Sequence, residues 1–98
     1  MTGRLFGRIL ERLRHQNPDD DYLTWLEHYG RITEGMVMDS QNSDGQVTIY
    51  YSYNISNVEY ESSQALTAQQ RDHSHDYRPG VTVTVRYDPR HPARSMVQ

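Results

Sequence analysis

The 98-residue chain contains no cysteine and no lysine. Without cysteine there is no disulfide, no thiol nucleophile and no cysteine-ligated zinc. Without lysine there is no Schiff-base chemistry and no lysine clamp on a phosphate, and all ten basic residues are arginine. Long apolar runs are missing as well. Residues 1–15 are broken by Arg4, Arg8, Glu11, Arg12 and Arg14, whereas a secretory signal needs an apolar run of roughly 7–15 residues and a spanning helix about 20. Thr2 stands where N-myristoylation requires glycine. The expected address is cytoplasmic. Positive charge is not in excess either, since ten arginines against thirteen acids leave a net charge of −3. That argues against a surface built for duplex nucleic acid. The six glycines are scattered, so no loop is made to cradle phosphate, and no Gly-x-Ser-x-Gly elbow presents a serine nucleophile.

What remains is 35% hydrophobic and 23% charged, a composition suited to one small folded domain. Over residues 3–15 the apolar side chains Leu5, Phe6, Ile9, Leu10 and Leu13 fall on one helical stripe. Arg4, Arg8 and Arg12 form a second stripe. A second helix is expected over residues 17–30. Asn17 is its N-cap, Pro18 its first residue, and Asp19, Asp20 and Asp21 face the positive end of its dipole. Gly30 stops it. Its apolar side runs through Tyr22, Leu26 and Tyr29, with Leu23 and Trp25 on the flanks. The charge is dipolar: residues 1–16 carry four Arg and one Glu, and residues 17–30 carry three Asp and one Glu.

Beyond residue 30 the period changes from helical to alternating. Val47, Ile49, Tyr51, Tyr53 and Ile55 share one face of a strand, and Gln46, Thr48, Tyr50, Ser52 and Asn54 the other. Ser56-Asn57 reads as a tight turn into a second strand carrying Val58 and Tyr60, with Glu59 and Glu61 outward. Gly80 opens a β-branched strand with Val81, Val83, Val85 and Tyr87 on one side and Thr82, Thr84 and Arg86 on the other. Residues 31–40 form a weaker strand in which Gly35 marks a bulge or a close backbone contact, and residues 41–45 read as a loop. Residues 65–71 have the composition of a short helix and residues 72–79 that of a loop. At the end, Asp88, Pro89 and Pro92 forbid a helix or a central strand, so the chain must bend at a side-chain-stabilised turn and finish in a short strand.

Gly80, Val83, Val85, Tyr87, Asp88, Pro89, Pro92 and Ala93 resemble the ending of the bacterial domain-of-unknown-function family 3592. Tyr51-x-Tyr53-x-Ile55, the turn at Asn57 where that family usually has glycine, and Tyr60 resemble its hairpin. Gly35 and Val37 match its first strand. The resemblance covers residues 31–98 and leaves the N-terminal helices outside. It implies a small antiparallel β-domain that often occurs beside membrane spans, and it brings no established activity or catalytic residues.

The fold expected is therefore α+β: a small antiparallel sheet of about five strands, curled or barrel-like, with two short N-terminal helices. Residues 1–98 form one domain, divided into a helical segment, 1–30, and an antiparallel β-domain, 31–98. The function expected is a non-catalytic protein-interaction or assembly module without cofactor, partnered by another protein or by a second copy in a homodimer. Tyr50 and Arg86, outward on their strands, are the candidate contact residues on the sheet. Arg4, Arg8 and Arg12 would meet anionic head groups if the first helix lay on a membrane as a peripheral adaptor. The competing reading is a small metal-dependent hydrolase built on His73, His75 and Asp76, residue types that ligate metals; an extended backbone there would turn both imidazoles to one side. Two imidazoles do not complete a site, and solvated histidines in a loop account for them as well.

Overall fold

The computed structural model describes residues 20–98. The stripe over residues 3–15, with Arg4, Arg8 and Arg12, and the start signals Asn17 and Pro18 lie outside the described residues. Helix α1 spans Asp20–Tyr29. Five strands follow, β1 (Arg31–Ser43), β2 (Gln46–Ile55), β3 (Val58–Ala65), β4 (Thr82–Asp88) and β5 (His91–Val97), with the short helix α2 (Ala68–Arg71) and a 3₁₀ turn (Ser74–Tyr77) between β3 and β4. The strands form one antiparallel sheet in the order β3-β2-β1-β4-β5. Among the described residues no helix is long and apolar enough to cross a membrane.

The hairpins follow from local turn chemistry. Ser56 and Asn57 have φ of 52° and 69°, the left-handed values that a two-residue hairpin turn demands. The Asn54 carboxamide accepts the Asn57 N–H at 3.0 Å. Residues 41–45 are not the expected loop. β1 runs on to Ser43, and the turn is only Asp44-Gly45, at φ 53° and 81°. Asp-Gly between alternating segments is itself a strong hairpin signal, and it overrides the polar composition of its flanks. Gly35 marks a close contact rather than the bulge: a Cβ there would lie 2.7 Å from both the Ser52 carbonyl oxygen and a Val85 methyl. The register slips between Val37 and Asp39, where Met38 is the extra residue.

The inward face is the one the alternation indicates. Val37, Ile49, Tyr51, Tyr53, Leu66, Val83, Val85 and Val97 form the core, flanked by Val47, Ile55, Tyr60, Tyr77 and Tyr87. Tyr53 stacks between Tyr51 and Tyr60 at centroid separations of 6.0 and 5.5 Å. β1 pairs with β4 through Arg31–Met36 and with β2 through Gly35–Ser43, with the bulge at Met38 between, and the sheet curls about it until its edge strands β3 and β5 approach each other in a parallel sense. They are joined there by side chains. The Gln64 carboxamide donates to the Val97 carbonyl at 3.0 Å and accepts the Val97 N–H at 2.8 Å, standing in for the missing strand neighbour. Gln70 donates to the same carbonyl, and the hydroxyls of Tyr51 and Ser95 meet at 2.7 Å. Pro92 sits in this edge strand, where a missing N–H costs no ladder bond.

α1 packs on β4 and β5. Leu26 is buried, but Tyr29, expected on the same apolar side, is 72% exposed. The inward line of the helix passes through Leu23, Leu26 and Gly30, whose backbone comes so close that a Cβ would lie 3.2 Å from the Tyr87 carbonyl oxygen. Tyr22, Trp25 and Tyr29 fall on the adjoining flank.

Candidate functional site

The turn between β4 and β5 is organised around one carboxylate. Asp88 is only 5% exposed. Its Oδ1 accepts the Arg90 N–H at 2.9 Å, the side-chain-stabilised turn expected from Asp-Pro. Its Oδ2 accepts the Tyr22 hydroxyl of α1 at 2.7 Å. Burial alone would raise the pKa of this acid. The bonds from Tyr22 and the Arg90 N–H, with the charge and backbone N–H of His91, outweigh burial and hold the carboxyl below its ordinary value. The same contact pushes the Tyr22 phenol up, through burial and then through the bond to Asp88 and its charge, against the opposing pull of Arg94. Asp88 thus acts as a tie between helix and hairpin, and Pro89 and Pro92 shape the bend around it.

From that tie an aromatic ladder runs along α1. The Arg94 guanidinium of β5 lies 5.9 Å from the Tyr22 ring centroid. Tyr22 stacks on Trp25 at 6.0 Å, and Trp25 meets Tyr29 at 6.2 Å. Trp25 is 39% exposed, and Ile32, on the outer face of β1 just past Gly30, is 60% exposed. The i, i+3, i+7 spacing of the three rings was visible in the sequence, but it reads equally as a buried stripe.

Residues expected to serve as contacts are placed differently. Tyr50 does stand on the outward side of β2, yet it is 2% exposed, and its hydroxyl donates to Gln41 Oε1 at 2.9 Å. It is not offered to a ligand. Arg86 is half-buried. It donates to the Gly30 carbonyl at 2.9 Å and to Gln98 Oε1 at 3.3 Å, so it closes the C-terminal end of α1 instead of reaching out. His73, His75 and Asp76 are exposed, and their segment is a 3₁₀ turn rather than extended chain. With three residues per turn, alternate side chains no longer share a side. Among the described residues no three His, Asp or Glu groups are placed to hold a metal ion. Glu59 and Glu61 lie on the outer face of β3, as the alternation implies.

A small antiparallel sheet curled nearly into a barrel, with its helical crossover between β3 and β4, defines the class of this protein. Residues 29–98 match the family described as Domain of unknown function (DUF3592), and the chain belongs to that family. The match covers the span over which the sequence resembles it. No curated protein and no solved structure matches the chain.

Proposed function

We propose that the domain is a non-catalytic protein-interaction or assembly module whose docking face is the aromatic flank of α1 continued by Ile32. The observation that carries this reading is the exposure of Trp25, Tyr29 and Ile32 beside Arg94 on a helix tied down by Asp88. Tryptophan, tyrosine and arginine dominate the energetics of protein interfaces, and a rigid helix presents them at little entropic cost.

The strand order and the helical crossover after β3 are also those of OB-type Greek-key barrels, which hold oligonucleotides or oligosaccharides on the β2–β3 face between the β1–β2 and β4–β5 loops. Here those connections are the tight turns Asp44-Gly45 and Pro89-Arg90, and the β2–β3 face carries Glu59 and Glu61. That chemistry supports a protein partner over a nucleic acid. Photocrosslinking from position 29 in the native cell tests the reading, with position 58, exposed in the β2–β3 hairpin, as control. A defined protein or a second copy of the chain should be captured from position 29, and Trp25→Ala should abolish capture. Capture from position 58 alone, or capture indifferent to Trp25, refutes it.

A further inference from the structure

On the outer face of β2 and β3 Tyr50 is buried and Thr48, Ser52, Glu61, Ser63 and Ala65 are half-buried. Tyr50 pairs with Ser63 and Ser52 with Glu61, and these side chains point away from the core that Ile49, Tyr51 and Tyr53 fill. Toward β3 their neighbours Thr48 and Ala65 are small, and toward β1 they are Met36, Asp39 and Gln41, all exposed. Adjacent strands can shield the flanks of an outward ring but not its top. Yet Tyr50 is buried, and Glu61 Oε2 and Ser63 Oγ are shut from solvent with no hydrogen-bond partner among the described residues. A buried carboxylate oxygen without a donor is costly. The described helical elements that pack on the barrel do so elsewhere, α1 on β4 and β5 and the 3₁₀ turn on β4.

We infer that the apolar stripe Leu5, Phe6, Ile9, Leu10 and Leu13 docks in cis on this outer face around Tyr50, with its arginines turned to the acids that border it. Two properties of the sequence fit that occupant. The stripe is apolar enough that it must be buried somewhere. Residues 1–16 also carry Arg4, Arg8, Arg12 and Arg14 against a single Glu11, whereas the outer face is bordered by Glu34, Asp39, Glu59 and Glu61. An arginine supplies the donor that Glu61 Oε2 lacks, in the geometry a carboxylate prefers. Residues 14–17 separate the stripe from the helix start expected at Pro18, and if extended they span up to about 14 Å, room to pass from one face of the sheet to the next. The Tyr50 phenol, pushed up by burial and by Asp39, is consistent with a dry, acid-bordered seat. The inference goes beyond the interaction reading, because it concerns a different face and leaves Trp25 and Tyr29 open.

The absence of cysteine makes the test direct. A nitroxide on Glu11→Cys is the only label the full chain will carry. In isotope-labelled, spin-labelled protein the amide signals of Tyr50, Ser52 and Ser63 should broaden. They should not broaden when spin-labelled chain at natural isotope abundance is mixed with isotope-labelled chain that carries no nitroxide. Leu10→Asp with Leu13→Asp should remove the broadening while the amide dispersion of the sheet persists. Broadening in the mixed sample would put a second copy on the face, and no broadening in either sample would leave the stripe elsewhere; each outcome overturns the inference.

Discussion

Two hairpins of the same sheet turn on an aspartate and use it in opposite ways. Asp44 in the β1–β2 turn is exposed and adopts φ 53° itself, with Gly45 at 81° beside it. Asp88 in the β4–β5 turn is buried and leaves the bend to Pro89 while its carboxylate holds Arg90 and Tyr22. The first turn is made of backbone preference alone, since a Cβ on Gly45 would meet nothing within 4 Å. The second adds to its own Asx turn a bond, from Tyr22, that exists only when α1 is in place. The β1–β2 turn should therefore be indifferent to the seating of α1, and the β4–β5 turn should not.

Asp88→Ala should break this comparison most. It removes two hydrogen bonds to a buried charge and unties α1, and a loss of about 3 kcal/mol is expected from denaturant titration. Asp44→Ala should cost far less. Gln64→Leu comes next. It leaves the buried Val97 N–H without its acceptor, so about 2 kcal/mol should be lost, with hydrogen exchange accelerated in β5 and unchanged in the β1–β2 hairpin. Gly45→Ala should cost about 1 kcal/mol, the price of a left-handed Cβ, and its effect should stay local to that turn.

The smallest effect is the pH dependence at residue 88. Its folded carboxyl titrates below its unfolded value, so the unfolded chain takes up the proton first as pH falls. The stabilisation is complete above the ordinary carboxylate range and is lost as pH drops through the lowered folded value. Asp88→Asn should flatten this part of the acid limb in denaturant midpoints measured between about pH 2 and 6.

The strands, their inward faces and the Ser56-Asn57 turn were readable without a structure, and so was the Asx turn at Asp88. Asp44-Gly45 was equally readable, but the polar run around it resembled a loop. The candidate contacts were not readable. Tyr50 alternates as an outward residue, and alternation reports which side of a strand a residue occupies, not whether that side is open. Arg86 is likewise outward by pattern, while its guanidinium is engaged with the end of α1.

Sequence alone determined what depends on neighbours along the chain: a period of two for β2, β3 and β4, φ preferences at the tight turns, and proline confined to a bend and an edge. These are short-range preferences, and a few residues suffice to express them. Tertiary structure decided how the sheet closes and which polar groups are occupied. Gln64 meets Val97 across 33 residues and Tyr22 meets Asp88 across 66, pairings that no local pattern encodes. Only the curl of β1 between β2 and β4 brings the edge strands close enough for a glutamine to take the place of a strand. Only the seating of α1 on β4 and β5 turns a lone aspartate into a tie and leaves the aromatic flank facing outward.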